Sequence, residues 1–389
     1  MRTNVNRPAA SVVVTMDRGD IRRHNLSLVL DILVSGGARS RADLVRDTGL
    51  TKATISSIVT DLIDRGLVAE HDSAGTGAMG RPGTNVGPSP DHVAVLALEI
   101  AVDRLAACVV DLTGAVRAQH AIEGDQSDRV ANDVLRDMRR VTKQALADAR
   151  RLGLTCVEAT LAVPGLVDPG DGTLFVAPNL HWLDVAGVAP AARIGLPKHL
   201  RVRTDNEANL VALAELRNGV GRSATNFVVL SGGVGLGAGV VIDGRLVRGS
   251  HGFAGEIGHV VVDPDGARCA CGARGCLEVV IRSATGARAL DRTAAAISTA
   301  LRSVVHLLDP QIVVLSGNLA AHGPSLAMAI ATQLKADTLG ARWHPCEVAV
   351  SSLGPDAALR GAAADALNRV VDDPTRIPSL STITEQDSA

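Results

Sequence analysis

The chain has 389 residues, 46% hydrophobic but only 1% aromatic, with 39 glycines and a formal net charge of −2. The length points to two or three domains, and a core of Ala, Val, Leu and Ile with many glycines suits an α/β protein better than an all-β sandwich. Near-neutrality excludes a globally basic nucleic-acid binder, and no run reaches the roughly 18 apolar residues of a spanning helix, so a cytoplasmic protein is expected.

Met1–Asp17 has only a brief apolar run, Ser11-Val12-Val13-Val14, too short for the core of a signal peptide. From Arg22 to Val34, Leu26, Val29, Leu30 and Leu33 recur at helical spacing, and Gly36-Gly37 ends the helix they predict. Ser40 and Asp43 have capping-box spacing and open a second short helix through Thr48. After a Gly49-Leu50 turn, Thr51 caps a third helix to about Arg65, whose buried stripe is Ile55, Ile58, Val59 and Leu62. Its other face carries Lys52, Ala53, Ser56, Ser57 and Thr60. Small and polar side chains there let a helix sink into a major groove. A strand from Leu67-Val68 and a Gly-rich hairpin over 75–88 follow, with Arg81 of Gly80-Arg81-Pro82 shaped to enter a minor groove. Between Arg18 and Arg81 nine Lys/Arg stand against eight Asp/Glu, so charge adds little, and a small helical protein-interaction module shares the local pattern. The order of helices, turn and wing favours a winged helix-turn-helix on double-stranded operator DNA.

Apolar strands are expected at Val93–Leu98, Leu105–Asp111, Phe227–Leu230, Ala238–Ile242 and Ile312–Leu315. Helices are expected over Asp125–Leu152, Ser298–Leu308 and about Asp356–Val370. Gly255-Glu256-Ile257-Gly258-His259 precedes Cys269-x-Cys271-Gly272-x-x-Gly275-Cys276-Leu277-Glu278. His259, Cys269, Cys271 and Cys276 make the donor set of a closed tetrahedral site, the structural class of Zn2+ centre. Scattered buried cysteines would not cluster so; Cys108, Cys156 and Cys346 fit that description.

Those two signatures resemble the ROK family of repressors, open reading frames and kinases, and the resemblance covers nearly the whole chain. The first ninety residues, with Ser40-Arg41-Ala42-Asp43-Leu44 and the Gly-Arg-Pro wing, are similar to its repressor branch. From about residue 93 the resemblance implies a two-lobed actin/hexokinase-like (ribonuclease H-like) sugar-kinase body. It also implies sugar contacts from Gly165, Asn179 (in Pro178-Asn179-Leu180-x-Trp182), Asn206, Glu207, Glu256, His259 and Glu278. His259 would then serve both metal and ligand, one nitrogen on zinc and the other on a hydroxyl. The expected parts are 1–90 for DNA, 91–205 for the first lobe, 206–371 for the second with zinc and sugar, and a disordered tail over 372–389.

Departures from the family pattern argue against catalysis. Its kinases open the body with Asp-x-Gly-x-Thr, where this chain has Glu99-Ile100-Ala101-Val102-Asp103. Ala101 adds a β-carbon where backbone must approach phosphate. Asp103 would face an anionic triphosphate, a repulsion of roughly 4 kcal/mol at about 4 Å and an effective dielectric near 20. Glu207 replaces the general-base Asp and displaces its carboxylate by about 1 Å. The Gly232–Gly239 loop is weak evidence for nucleotide, because a tight β-turn needs the same residues. Glu278–Asp309 is shorter than the corresponding stretch of the family, which further weakens the kinase case. The expectation is a sugar-responsive repressor of carbohydrate genes, a homodimer or homotetramer without membrane contact; the alternative is a sugar kinase with residual activity.

Overall fold

Asp17 caps helix α1 (Arg18–Gly36), accepting the Asp20 N–H at 2.7 Å in a reciprocal capping box. The helix therefore starts a turn before the apolar spacing that predicted it. Leu26, Val29, Leu30 and Leu33 are fully buried. After strand β1 (Arg39–Ser40), helix α2 (Arg41–Thr48) opens on the expected box, the Asp43 N–H donating to Ser40 Oγ at 3.1 Å. Gly49 ends α2 at φ 71°, a left-handed turn that glycine makes without strain. Helix α3 (Lys52–Asp64) begins where Thr51 Oγ1 accepts the Thr54 N–H at 3.2 Å. Strands β2 (Val68–Asp72) and β3 (Thr84–Pro88) complete an antiparallel sheet in the order β1-β3-β2, the wing of a winged helix-turn-helix.

The structure, a computed structural model, describes residues 17–72, 84–182 and 189–382. Two compact units emerge, Met1–Ser89 with Val370–Ala389, and Pro90–Arg369. The expected disordered tail from residue 372 is thus corrected over its described part. Pro374–Arg376 forms a 3-10 turn, Pro374 and Ile377 are buried, and Arg65 donates to the carbonyls of Thr375, at 3.1 Å, and of Ile377. Two buried apolar side chains and one guanidinium that satisfies two carbonyls hold a segment whose prolines read as loop.

The second unit is the body. Its first lobe contains β4 (Val93–Ile100), β5 (Arg104–Asp111), β6 (Val116–Glu123), α4 (Ala131–Arg151), β7 (Thr155–Val163), the hairpin β8 (Leu166–Val167) and β9 (Leu174–Val176), α5 (Pro190–Arg193), and β10 (Arg201–Asn206). Helix α4 starts six residues after the expected Asp125, whose carboxylate instead accepts the Ser127 N–H at 2.8 Å in a turn. The sheet order is β10-β7-β4-β5-β6.

The second lobe contains α6 (Glu207–Asn218), β11 (Phe227–Gly232), β12 (Leu236–Ile242), β13 (Arg245–Val247), α7 (Leu277–Arg282), α8 (Ala289–Leu308), β14 (Ile312–Gly317), α9 (Asn318–Ala321), α10 (Gly323–Asp337) and β15 (Glu347–Val350). Its sheet order, β13-β12-β11-β14-β15, repeats that of the first lobe: an antiparallel trio extended by two parallel strands. This doubled pattern is the expected two-lobed ribonuclease H-like body. Buried on both faces, β4 reads as a near-continuous apolar run.

The last helix, α11 (Ala357–Asp372), forms where expected and packs on the first lobe. Arg369 donates to Glu158 at 3.0 Å and to the Ala159 carbonyl at 2.6 Å, while Thr160 donates to Asp365 at 2.8 Å. Among the described residues no helix is long and apolar enough to cross a membrane.

Candidate metal and sugar centre

Two glycines fix the Gly-Glu-Ile-Gly-His segment. A β-carbon on Gly255 would lie 2.0 Å from the Ala238 carbonyl oxygen, and one on Gly258 would lie 2.3 Å from that of Leu236. Only bare backbone packs this closely on β12, and it places Glu256 and His259 beside the strand. The following loop returns through bridges Val261–Cys276 and Arg268–Arg274. Gly275 is obligatory there, because its β-carbon would sit 1.5 Å from the Asp263 carbonyl oxygen.

The loop brings all four predicted ligands together, their donor atoms within 4.8 Å of one another. Cys269 Sγ is 3.6 Å from His259 Nδ1, and Cys271 Sγ is 3.6 Å from Cys276 Sγ. Tetrahedral bonds of about 2.3 Å to a central ion separate sulfurs by about 3.8 Å, so these spacings fit a metal ion. Burial and the neighbouring Cys271 and Cys269 sulfurs push the Cys276 thiol up to about 12. Three sulfurs at this density become thiolates only when a cation offsets their charge. Cys108, Cys156 and Cys346 stand apart from the cluster.

His259 links the metal cluster to the polar set. Its Nδ1 faces the sulfurs, and its Nε2 lies 4.0 Å from Glu256 Oε2. Burial raises the Glu256 carboxyl above the usual range; His259 opposes the shift and Glu278 adds to it, which places the three as neighbours. Glu278 is also held by Arg282 at 2.8 Å and accepts the Leu236 N–H at 3.3 Å. Gly235 leaves room for both Asn179 and Glu278: its β-carbon would meet Asn179 Nδ2 at 2.3 Å and Glu278 Oε2 at 3.2 Å. Asn179 from the first lobe and Glu278 from the second therefore converge.

Gly165 and Asn206 form the adjoining wall. Asn206 Nδ2 donates to the Gly165 carbonyl at 2.9 Å, and its Oδ1 caps α6 by accepting the Ala208 N–H at 2.8 Å. A β-carbon on Gly165 would lie 2.2 Å from the Val176 carbonyl oxygen and 3.0 Å from Ala177 Cα, which ties this turn to the segment carrying Asn179. Trp182 is an anchor, buried and donating to the Arg129 carbonyl at 3.1 Å.

Glu207 lies with the altered first hairpin. Burial, and then the charges of Glu99 and Asp103, push its carboxyl up to about 7. Burial likewise raises Glu99 to about 7 although Arg104 pairs with it at 2.6 Å; Arg104 also reaches Asp356 at 2.7 Å. Glu99, Asp103 and Glu207 thus form one group of carboxylates.

In the first unit, Lys52, Ala53, Ser56, Ser57 and Thr60 are all exposed on α3, while Ile55, Ile58, Val59 and Leu62 are buried. Arg81 lies outside the described residues. Sequence reasoning missed Arg65, Arg248 and the Phe175–Phe253 pair. Only the scarcity of Phe, three in the chain, singles any of them out in the sequence.

The chain is 31% identical over 262 residues to a xylose repressor of Caldicellulosiruptor bescii, covering 66% of this chain and spanning 63% of that protein. It is 25% identical over 386 residues to the xylose repressor of Bacillus subtilis, covering 92% of this chain and 98% of that one. A solved ROK family transcriptional regulator, a homolog of the E. coli MLC protein, superposes with a TM-score of 0.76 at 24% identity, covering 92% of this chain and 99% of that chain; at that identity the likeness carries the fold. The ROK family model matches residues 95–288 and 281–369, and the chain belongs to the ROK family.

Proposed function

We propose that the protein is a cytoplasmic, sugar-responsive DNA-binding regulator that represses carbohydrate-metabolism genes. The observation that carries this reading is the convergence of Asn179, Glu256, His259 and Glu278 in a chain that also exposes Lys52, Ser56 and Thr60 on a winged helix-turn-helix. The xylose repressors among its relatives support both halves. Zn2+ is the ion the Cys3His donor set suits, held by His259, Cys269, Cys271 and Cys276 in a closed structural site. With the ion bound, the loop would be braced and His259 would be held in one tautomer, its Nε2 left for a sugar hydroxyl. Carboxylates and amides each pair with two hydroxyls, which suits Glu256, Glu278, Asn179 and Asn206 to polyol recognition beside Gly165.

The body is not an enzyme in this reading. Glu99, Asp103 and Glu207 crowd negative charge where a triphosphate would have to sit. Effector binding alters operator affinity by linkage: a sugar that prefers the DNA-incompetent form about 100-fold shifts the balance by roughly 2.7 kcal/mol. A homodimer would present two recognition helices to half-sites about 34 Å apart or a multiple of that, with Arg81 in the flanking minor groove.

Fluorescence anisotropy on DNA from the protein's own upstream region, titrated with free and phosphorylated sugars, tests the reading. A saturable, stereospecific change in DNA affinity supports it. DNA binding that no sugar alters would overturn the sensor role, and ADP release on adding ATP and a sugar would favour the kinase.

A further inference from the structure

Aromatic side chains are scarce here, three Phe, two Trp and no Tyr in 389 residues. Phe227 is fully buried in the core. The other two meet each other: the rings of Phe175 and Phe253 lie 5.6 Å apart, edge to face at 84°, yet remain 38% and 42% exposed. His251 adds a third ring 6.1 Å from Phe253. A core contact would have buried this pair, and solitary surface apolar residues would not have come from two lobes to meet.

Their presentation is built into the backbone. Phe175 sits on β9 between fully buried Leu174 and half-buried Val176, and strand alternation turns its ring away from the core side that Leu174 occupies. The Val176 carbonyl presses on Gly165, and Asn179 follows three residues later. Phe253 stands between two glycine contacts. Gly252, at φ 82°, would drive a β-carbon to 2.4 Å from the Val167 carbonyl oxygen in the first lobe; Gly255 packs on β12 in the second. The ring is thereby fixed where the lobes meet, three residues before Glu256.

An apolar, partly exposed ring pair on the same two segments that carry Asn179 and Glu256 offers both surfaces a carbohydrate needs: partners for the hydroxyls at its edge and for the C–H groups of its ring face. We propose that Phe175, Phe253 and His251 form a second saccharide subsite at the rim of the cleft, so that the preferred effector is a glycoside of at least two rings. One ring takes the site of Asn179, Glu256, His259 and Glu278, and the next lays its C–H face on the Phe pair. The inference rests on the sugar-binding reading above and adds the length of the ligand to it.

Calorimetric titration of the full chain with xylose, glucose, xylobiose, cellobiose and maltose tests it. At least one disaccharide is expected to bind ten-fold or more tighter than its own monosaccharide. Phe253→Ala and Phe175→Ala should bring that ratio close to one while changing the monosaccharide Kd less than about two-fold; Phe253→Leu, which keeps the apolar bulk, should retain the monosaccharide Kd and lose most of the ratio. Monosaccharide binding with no disaccharide preferred overturns the subsite and leaves the sugar site standing, as does a variant that weakens both ligands equally. No binding by any of the five overturns both.

Discussion

Arg248 donates twice to one carboxylate oxygen of Asp205, from Nε at 2.8 Å and from a terminal nitrogen at 2.6 Å. The other Asp205 oxygen accepts the Asn206 N–H at 2.8 Å and the Asn209 amide at 2.9 Å. The Arg248 carbonyl in turn accepts the Ala254 N–H at 3.0 Å. One buried carboxylate thus joins the strand end that carries Asn206 to the loop that carries Phe253 and Glu256.

Breaking that pair should be costly, because Asp205 is only 5% exposed and the loss of Arg248 would leave it without its guanidinium partner. Arg248→Met is expected to destabilise the body by about 3–5 kcal/mol, measured by urea unfolding. Adding Asp205→Asn should restore part of the loss. A cost below about 1 kcal/mol for the single change would mean the pair is effectively solvated.

Glu207 gives a pH signature. Its carboxyl rises from an ordinary 4.5 to about 7, so the folded chain holds a proton that the unfolded chain releases. The folded state then binds more protons between those values, and stability falls as pH increases through that window. Glu207→Gln should raise Tm by roughly 2–4 °C at pH 8 and change it little at pH 5. The same offset at both pH values would assign the effect to packing.

Metal content is directly measurable. Elemental analysis should find one zinc per chain, lost in Cys276→Ser, with a lower Tm for that variant and for chelator-treated protein. At a metal concentration 100 times Kd the ion would contribute about 2.7 kcal/mol to stability. Full thermal stability in metal-free protein would remove the structural role.

On the DNA side, Lys52→Ala should weaken binding similarly for all sequences and make the log K against log salt slope shallower by about 1. Ser56→Ala should instead change the ranking of operator variants. If Lys52→Ala changes that ranking while the slope stays fixed, its ammonium contacts a base edge, not a phosphate.

What the sequence made legible was local. The Ser40–Asp43 box, the α3 stripe and the Cys-x-Cys-Gly-x-x-Gly-Cys loop are each complete within a few residues, and the structure forms all three. The Asp17 cap escaped because the apolar repeat begins further along the helix. Arg248 and Asp205 are 43 residues apart, and Arg65 finds its carbonyl partners more than 300 residues downstream. No spacing rule reaches such pairs. The first ends of α4 and α8 were misplaced for a related reason: α8 begins at Ala289 on an Arg288 that makes no side-chain cap, and the Asp125 turn resembles a helix start.

The unit that carries α1–α3 is assembled from two distant stretches of sequence, since Pro374 and Ile377 complete what Arg18–Pro88 begins. During synthesis α3 emerges before the body, but its unit's last members leave the ribosome only after the whole body has been made. The unit should therefore mature late, and an amino-terminal fragment ending near residue 90 is expected to be a poorer folder than its three helices suggest. A bulky insertion close behind Ile377 is expected to destabilise that unit although it lies far from α3 in sequence.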